Sequence, residues 1–458
     1  MIDEDIALYA LHLAEKDAEY GEVRIEIVKE NAVVLANGVV EEAEFSEKKG
    51  VGIRVLKNGV MRFTSTNILD KKNIKEMVET KKWVHGRKIG LSKEKITEAK
   101  WEVKWKKKFP SFEKKIDYLK QLDELVKDNA SSRFFILNDS ITEKLIINSE
   151  GLHISSKIPH ISLYYLITVS NGGTEQMNRE FGNTGGWECI NEWKVEEKLQ
   201  WDSTILKKII EEGKKPPKGK IDFVIAPYIT GLIAHESCGH PFEADRILGR
   251  EAAQAGKSFV KESMKGERIG NEVVNVIDDP TLPKSYGFYA YDDEGVKARK
   301  RYLIKNGRIN EFLHNRETAF LMNEKSNASA RASSYDREPI VRMANTYIAP
   351  GDFSLEELIE DVKKGIYMVT FMEWNIDDKR YQQKYVGEEA YLIENGDITS
   401  LLLHPVLEIT TPKFYSSIDA VGKDFALYPA TCGKGDPMQG IPVGTGGASV
   451  RIRNIEVK

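Results

Sequence analysis

The stretch IDFVIAPYITGLIAHESCGHPFEAD, Ile221–Asp245, sets the arrangement of the second half of the chain. It opens with an apolar, β-branched run that ends at Ala226, which is the pattern of a buried strand. Pro227 then suits the first turn of a helix, because its missing N–H would have no partner there. We therefore predict a strand that leads into a helix, with a polar cluster after Ala234 at the end of that helix.

His235, Glu236 and His240 are the residues of this cluster that carry chemistry. Two imidazoles beside a glutamate suit a hydrolytic zinc site, and the familiar motif H-E-x-x-H places its histidines about 40° apart around a helix. The gap here is one residue longer, which separates the two side chains by about 140° on a regular helix. A shared metal ion therefore requires a π-type turn, or a helix that ends at Gly239 before the chain turns back at Pro241.

A catalytic zinc takes three protein ligands and keeps one position open for water. The residues alone leave Glu243, Asp245, Cys238 and Cys432 as candidates for the third ligand, and their spacing does not choose among them. Cys432 lies among glycines and close to a lysine, a setting that favours an exposed thiolate. Glu243 and Asp245 also suit a different role, as carboxylates that accept a hydrogen bond from a metal-bound imidazole.

Composition excludes several classes of protein. At about 150 residues per domain, 458 residues make three units or two large ones, and 41% apolar against 30% charged residues excludes global disorder. A net charge of −4 argues against wrapping a phosphate backbone or coating an anionic membrane. Lys104 and Lys106–Lys108 alternate with aromatic residues, but short lysine runs are more typical of solvated edges. We expect no nucleic-acid partner.

No export signal or membrane span is visible in the sequence. The N-terminal segment is acidic where a secretory signal is basic, and it has the pattern of an amphipathic helix. The longest apolar run, Ile221–Ala234, is shorter than the ~18 residues of a membrane span and contains Asp222 and Pro227. We therefore expect a cytoplasmic protein that does not bind membranes. Its three cysteines are too few for a disulfide framework.

Runs of strands between isolated helices predict a two-domain α+β fold with mostly antiparallel sheets and packed helices. The Gly-Pro-Lys stretch 213–220 is the predicted linker between an N-terminal α+β domain, 1–212, and a C-terminal metal-binding catalytic domain, 221–458. The glycine-rich segment 432–452 is predicted to be a loop before a final strand. The other predicted elements are a helix with Ile6, Tyr9, Ala10 and Leu13 on one face, hairpins at Asn37-Gly38 and Asn58-Gly59, helices over 73–84 and 112–126, separate strands around Phe134, Leu145 and 161–169, a helix ending near Glu212, and turns at Asn306-Gly307 and Asn395-Gly396.

Six segments in the second half form a recognisable series. They are HESCGHPFEAD (235–245), VIDDP (276–280), DDEG (292–295), LIKNGRI (303–309), MANTYIAPG (343–351) and CGKG (432–435). In this order they resemble the TldD branch of the TldD/PmbA family of metalloproteases. The resemblance covers the chain well from Ile221 to its end and extends more weakly to GVGIRVLKNG (50–59) in the first half.

The resemblance implies a zinc-dependent peptidase with the motif H-E-x-x-x-H. The two metal-binding histidines of the family fall on His235 and His240, its catalytic glutamate on Glu236, and its third ligand, a cysteine in a glycine-rich loop, on Cys432. The chain matches the metal-bearing branch and not the TldE/PmbA-like branch, which lacks the metal motif. The resemblance also implies small or unfolded peptide substrates, an enclosed cleft, and either a homodimer or a heterodimer with a TldE/PmbA-like chain.

In this interpretation Glu236 takes a proton from a zinc-activated water and passes it to the departing amine. A second oxyanion donor is expected, and His314 and Arg342 are the best candidates. Asn345 and Thr346 are expected to pair with the backbone of the substrate, which would add a strand to a sheet edge.

Two other classes of function remain open. A non-catalytic, zinc-bearing scaffold subunit of a family heterocomplex would hold metal without turnover. A cysteine hydrolase, with Cys432 as nucleophile and a histidine as base, would be blocked by alkylation and indifferent to a chelator. Glu236 favours the peptidase, because a purely structural metal site needs no base between its ligands.

Overall fold

The computed structural model describes residues 2–79, 88–251 and 256–457. Up to residue 212, one large sheet is formed and helices pack on it. Its strands are β1 (Tyr20–Ala36), β2 (Val39–Lys57), β3 (Val60–Thr66), β4 (Glu98–Glu102), β5 (Ser132–Asn148), β6 (His153–Ser170) and β7 (Thr174–Thr184). The helices are α1 (Glu4–Glu15), α2 (Lys71–Glu79), α3 (Phe112–Val126), α4 (Cys189–Trp193) and α5 (Val195–Glu212).

Two tight turns form the first hairpins of this sheet. Asn37 and Gly38 have φ angles of 48° and 80°, and Asn58 and Gly59 have 54° and 74°. A two-residue turn of this kind needs positive φ at both positions, which asparagine and glycine tolerate. β2 pairs antiparallel with β1 on one side and β3 on the other, and the predicted hairpins are confirmed.

The order of the sheet is β3-β2-β1-β5-β6-β4, and β7 also pairs with β6. The prediction of separate strands around Phe134 and Leu145 is wrong, because both residues lie in β5, a single strand of 17 residues. β5 pairs with β1 on one side and β6 on the other along nearly its whole length. Its main-chain groups are therefore satisfied without a turn.

The predicted helices of the first half are largely confirmed. α1 buries Ile6 and Ala10 against the sheet, and α3 and α5 add their apolar faces to a second cluster with β1, β5 and β6. α3 has the predicted bounds, and α5 ends at Glu212 as expected. The helix predicted over 73–84 is α2 as far as Glu79, and 80–84 lie outside the described residues.

The second half consists of shorter elements. Its strands are β8 (Gly219–Ile225), β9 (Val276–Asp278), β10 (Arg301–Lys305), β11 (Arg308–Ile309), β12 (Ala330–Arg331), β13 (Ile340–Val341), β14 (Asn345–Ile348), β15 (Lys364–Met368), β16 (Phe371–Ile376), β17 (Gln382–Gly387), β18 (Ala390–Glu394), β19 (Asp397–Leu401), β20 (Val406–Thr410), β21 (Ile418–Val421), β22 (Ala426–Lys434), β23 (Gln439–Gly447) and β24 (Val450–Val457). The helices are α6 (Pro227–Ala234), α7 (Ala244–Ile247), α8 (Arg316–Leu321), α9 (Leu355–Glu360) and α10 (Thr411–Ser417).

These strands form two six-stranded sheets, β19-β18-β15-β8-β24-β21 and β11-β10-β9-β14-β23-β22, beside the smaller sheets β16-β17-β20 and β12-β13. In the part of the chain that the structure describes, the parallel strand pairs are β4 with β6, β8 with β15 and β14 with β23. The predicted α+β class with mostly antiparallel sheets is confirmed. β8 begins inside the predicted linker 213–220, and the division at that segment stays a prediction. Among the described helices, none has both the length and the apolar character needed to cross a membrane.

α6 joins the two six-stranded sheets. It begins directly after β8 and packs on β14 and β23 of the other sheet. The contact is main chain against main chain, because a Cβ added at Gly231 would overlap the backbone at Gly446. Thr230 Oγ1 also donates a hydrogen bond of 3.0 Å to Ala448 O. This packing fixes the position from which α6 delivers the residues after Ala234.

The prediction of a loop over 432–452 is wrong, because most of this segment lies in the β22–β23 hairpin and in β24. Glycine usually weakens a strand, but here the neighbouring backbones leave no space for side chains. A Cβ at Gly446 would overlap the main chain of Ala426, and one at Gly444 would press on the side chain of Asn345. Cys432 therefore lies on a hydrogen-bonded strand, opposite Ile441 of β23.

Replacement of Gly231 by alanine tests the contact between α6 and β23. We expect Gly231→Ala to lower the free energy of unfolding by about 1–3 kcal/mol, because the added methyl meets a backbone that cannot move away. Urea denaturation followed by circular dichroism measures the change. Gly440→Ala, at an exposed position of β23 with only the end of Thr431 nearby, is the matched control. Equal effects of the two changes would contradict the proposed packing.

Candidate metal centre

The chain after Ala234 widens into a π-helical turn over His235–Gly239 and then tightens into a 3-10 turn over His240–Phe242. The N–H of His240 donates to the carbonyl of His235, which is the hydrogen bond of a π turn. The two imidazole ring centres are 4.9 Å apart, with their planes at 82°. Of the two distortions that the spacing allows, the structure has the π turn, and it brings both rings to one place.

The π turn is anchored on two sides. A Cβ at Gly239 would overlap the sulfur of Met343, so glycine allows the turn to pack directly on the segment that precedes β14. Ser237 Oγ donates to Ile233 O at 2.6 Å and lies 3.0 Å from the hydroxyl of Tyr415, which acts as the donor in that contact. Packing and hydrogen bonds thus hold the widened turn in place.

Cys432 reaches the same place from β22. Its Sγ lies 3.5 Å from His240 Nε2, and one ligand atom from each of His235, His240 and Cys432 lies within 4.8 Å of the other two. All three side chains are buried. Within the described residues these three form the one group of histidine, cysteine and carboxylate side chains close enough to share an ion.

The donor set fits zinc. Bonds of about 2.0 Å to nitrogen and 2.3 Å to sulfur at a tetrahedral angle separate the two atoms by about 3.5 Å, which matches the Sγ–Nε2 distance here. His235 Nδ1 is buried and, among the described residues, has no hydrogen-bond partner. A buried polar atom without a partner is costly, so a bound group that reached Nδ1 would stabilise the site. Burial lowers the pKa of both imidazoles, which favours the neutral form that can ligate a metal.

Glu243 orients one of the imidazoles. Its Oε2 lies 3.0 Å from His240 Nδ1 and also accepts hydrogen bonds from Arg246 Nε at 2.8 Å. Burial alone would raise the pKa of Glu243, but Lys434, His240 and Arg246 outweigh it and hold this pKa well below its ordinary value. The carboxylate therefore accepts a hydrogen bond from Nδ1–H of His240, and Nε2 faces Cys432, as in the carboxylate–histidine pairs of zinc sites.

Asp245 has a different partner from the one expected. Both of its carboxylate oxygens lie 2.8 Å from Lys434 Nζ instead of contacting an imidazole. Lys434 Nζ also lies 3.2 Å from Glu243 Oε2 and donates to Val341 O at 2.7 Å. Asp245 thus acts on His240 only through Lys434 and Glu243, because the short helix α7 carries its side chain towards β22.

The environment of Cys432 favours its thiolate. Burial by itself would raise the pKa of this thiol, but His240 and Arg342 bring it down to about 7. Cys238, the neighbouring candidate, is fully buried in the apolar core, and burial raises its pKa well above the ordinary value. The geometry therefore distinguishes Cys432, which lies beside the histidines, from Cys238, which lies in the apolar core. The spacing alone had left both as candidates for the third ligand.

Glu236 lies in the π turn between the two histidines, and its carboxylate forms an ion pair with Arg380 Nη1. Sequence reasoning missed Arg380, which lies in the turn between β16 and β17, 144 residues further along the chain. Nothing in the polar segment around it signals a role at this site. Only the fold of the β16–β17 hairpin brings its guanidinium to the candidate base.

His314 and Arg342 do not have the positions expected of oxyanion donors. His314 Nδ1 contacts Thr318 Oγ1 at 3.2 Å, its Nε2 is 4.0 Å from Glu324, and burial lowers the pKa of His314 to about 4. Arg342 is fully buried and donates to the main-chain oxygens of Cys432 and Gln439. Its five donors suit this bridging of two strands, so Arg342 positions Cys432 rather than a substrate.

Asn345 and Thr346 cannot add a substrate strand as expected. They lie in β14, whose main chain is paired with β9 on one side and β23 on the other. Asn345 Nδ2 donates to Asp279 O at 2.6 Å, and Thr346 Oγ1 donates to Asp278 at 3.1 Å. Both edges of the strand and both side chains are therefore already occupied within the protein.

Comparison with protein families gives three matches. The model described as the PmbA/TldA metallopeptidase C-terminal domain matches residues 218–458. Domain 1 of the same metallopeptidases matches residues 21–82, and their central domain matches residues 106–213. The three matches together span most of the chain.

Two solved structures share the fold. A Thermotoga maritima protein described as a candidate modulator of DNA gyrase has a TM-score of 0.80 at 19% identity, over 99% of this chain and 100% of that one. TldE from Thermococcus kodakarensis has a TM-score of 0.73 at 15% identity, over 99% of each chain. At these identities the likeness concerns the fold alone.

Curated relatives are more similar in sequence. A metalloprotease of Methanocaldococcus jannaschii is 33% identical over 452 residues, 94% of this chain and 96% of the relative. A metalloprotease of Methanothermobacter thermautotrophicus is 30% identical over 469 residues, 100% and 99%. A zinc metalloprotease TldD homologue of Saccharolobus solfataricus is 29% identical over 323 residues, 70% and 69%. The resemblance seen in the sequence is thereby confirmed, and the chain belongs to the TldD/PmbA family of metallopeptidases.

Proposed function

We propose that this protein is a zinc-dependent peptidase that hydrolyses small or unfolded peptides. The observation that carries the proposal is the convergence of His235, His240 and Cys432 on one point, with Glu236 between the two histidines in the same turn. A structural zinc site is usually closed by four ligands, whereas three ligands and a nearby carboxylate are typical of a hydrolytic site.

Zinc is the metal that this donor set suits. Imidazole nitrogen and thiolate sulfur are the ligands that zinc prefers, whereas magnesium and calcium take oxygen. The Saccharolobus solfataricus relative is named a zinc metalloprotease, in agreement with this choice. When bound, zinc would supply a Lewis acid that activates water and polarises the peptide carbonyl.

The residues of the chain divide the remaining work. Glu236 acts as general base towards the attacking water and then as general acid towards the departing amine. Glu243 fixes the orientation of His240 through its Nδ1, and Lys434 keeps Glu243 ionised. The Cys432 thiolate would add negative charge to the ligand set, so a bound ion would be a weaker Lewis acid than one held by three imidazoles.

We propose that the substrate lies along β22, beside the centre. It is the last strand of its sheet in the described part of the chain, and it carries Cys432. An extended peptide can pair with the outer main-chain edge of such a strand. Pairing through the main chain would accept unfolded peptides of many different sequences. This edge replaces β14 as the proposed place of strand addition.

We also propose that the protein works as a dimer, either of two copies or with a TldE/PmbA-like chain. The family resemblance supports the pairing, and the TldE of Thermococcus kodakarensis shares the fold. The alternative function is a zinc-bearing scaffold subunit of such a heterocomplex. Glu236 favours the peptidase, because a scaffold has no use for a buried carboxylate next to its ligands.

Replacement of Glu236 by glutamine separates the peptidase from the scaffold. We expect Glu236→Gln to keep one zinc per chain and to lose about 10²–10⁴-fold in kcat, because the amide cannot accept the proton. Elemental analysis and digestion of an unfolded peptide measure the two properties. Glu373→Gln, at an exposed position of β16, is the control. Wild-type protein with bound zinc and no peptide hydrolysis would support the scaffold instead.

Replacement of Cys432 by serine tests the third ligand. We expect Cys432→Ser to weaken zinc binding by more than about 100-fold, since changes beside a ligand already cost 10–100-fold. Competition with a fluorescent chelator measures the affinity, and Cys189→Ser, in a separate core, is the control. If alkylation of Cys432 abolished hydrolysis that a zinc chelator left intact, a cysteine hydrolase would replace the proposal.

The affinity for zinc should depend on pH through Cys432. Zinc displaces the thiol proton, so affinity should be nearly constant above pH 7 and fall about tenfold per unit below the thiol pKa of about 7. Titrations between pH 5.5 and 8.5 measure the slope. A slope that begins only near pH 8.5, the ordinary thiol range, would contradict the influence of His240 and Arg342.

A further inference from the structure

Among the residues that the structure describes, Arg380 is the one that forms an ion pair with the proposed base. Its Nη1 contacts Glu236 Oε2, and both side chains are about nine-tenths buried. Arg380 Nε is also buried and, among the described residues, has no hydrogen-bond partner. The guanidinium therefore lies at the candidate centre with donor capacity that the protein itself does not use.

The turn that carries Arg380 is held in place by hydrogen bonds to its main chain. Arg380 N donates to Asp377 O at 2.9 Å, and Arg380 O accepts from Thr411 Oγ1 at 2.8 Å. The neighbouring carbonyl of Lys379 accepts from Phe259 N at 2.9 Å. Arg380 has a φ of 63°, which is unusual for a residue with a side chain and persists only where the surroundings enforce it. The position of the guanidinium is thus set by a backbone that is itself held in place.

The need to neutralise Glu236 explains the position of Arg380 only in protein without bound metal. A buried carboxylate needs a counter-charge, and Arg380 supplies it. With a divalent ion on His235, His240 and Cys432, the thiolate leaves that ion one positive charge, which already balances Glu236. Arg380 then gives the centre one additional positive charge. Such a charge is best used where negative charge develops during a reaction.

We propose that Arg380 is a catalytic residue that binds the oxyanion formed from the substrate carbonyl. The proposal rests on the peptidase function and supplies the oxyanion donor that His314 and Arg342 do not provide. In the resting protein Arg380 pairs with Glu236. When Glu236 takes up a proton its negative charge disappears, and the guanidinium hydrogen-bonds the oxygen on which negative charge has appeared.

The charges and atoms balance in this scheme. The water oxygen bonds to the carbonyl carbon, its proton passes to Glu236, and the π electron pair of the carbonyl moves onto the oxygen near Arg380. The electron pair on this oxygen then re-forms the carbonyl, the carbon–nitrogen bond breaks with its electron pair on the nitrogen, and the nitrogen takes the proton from Glu236. The products are a carboxyl group and an amine, and Glu236 is again paired with Arg380.

Kinetics of the zinc-loaded protein give the first test. We expect Arg380→Ala to lower kcat about 10²–10³-fold, as the loss of an oxyanion donor does, with KM changed less than threefold and one zinc still bound. Arg380→Lys should recover part of kcat, and millimolar guanidinium should partly rescue Arg380→Ala. Lys379→Ala removes the same charge from the exposed neighbouring residue and should have wild-type kinetics. Wild-type kcat in Arg380→Ala would overturn the proposal.

Binding to a variant without the base separates contact with the oxyanion from support of Glu236. Zinc-loaded Glu236→Gln and the double variant Glu236→Gln/Arg380→Ala are titrated with two tetra-alanine probes by calorimetry. One probe is the intact peptide, and in the other a tetrahedral, anionic phosphinic group replaces the central amide. We expect loss of Arg380 to weaken the phosphinic probe at least 30-fold and the intact peptide less than threefold.

The outcomes distinguish the two proposals. Equal affinity of both variants for the phosphinic probe would show that Arg380 acts only by placing Glu236, and would overturn the role at the oxyanion. Equal weakening of both probes would assign Arg380 to ground-state binding and would overturn it as well. If wild-type protein neither cleaved peptides nor bound the phosphinic probe, the peptidase function itself would fail, and the role of Arg380 with it.

Discussion

Two imidazoles that are five residues apart reach one point only because the chain after α6 widens into a π turn. The widening is enforced from outside the turn. Gly231 has no side chain, so α6 contacts the backbone of β23 directly, and Gly239 allows the turn itself to pack on Met343. A helix that was free to relax would return to regular geometry and would point His235 and His240 about 140° apart. The convergence of the two imidazoles therefore depends on the packing of α6 between the two six-stranded sheets.

Buried charges connect the turn to the hairpin that carries Cys432. Lys434 lies two residues after Cys432 and contacts both Glu243 and Asp245, which follow the π turn. Separate charges of this kind would be expensive to bury, and each is compensated here by an opposite charge within hydrogen-bond distance. Because Lys434 and Cys432 share β22, the ion pairs that align the strand also set the position of the sulfur. Removal of one charge would leave its partners unpaired and would disturb several residues of the centre together.

The electrostatics of the centre are arranged around two carboxylates with different neighbours. Glu243 is surrounded by His240, Arg246 and Lys434, and its pKa is held well below the ordinary value, so it stays an acceptor. Glu236 faces a single arginine that approaches from the β16–β17 hairpin. Glu243 therefore keeps its hydrogen-bond partners as an ionised acceptor. Glu236 has a single partner in the described part of the chain, and a reaction could transfer that partner's hydrogen bond to another oxygen. Two glutamates seven residues apart acquire these different roles from segments far away in the chain.

The sequence by itself determined the α+β class, the Asn-Gly hairpins, most helices of the first half and the residue types of the candidate metal centre. These features depend on local periodicity, on backbone preferences of single residues and on the ligand chemistry of histidine and cysteine. Only the tertiary structure decided that 132–148 is one strand, that the glycine-rich segment pairs as a hairpin, and that β14 has no free edge. It also decided that Asp245 binds Lys434, that Arg342 bridges Cys432 and Gln439, and that Arg380 reaches Glu236. Strand neighbours and buried ion pairs join segments far apart in the chain, so they follow from packing that no local pattern encodes.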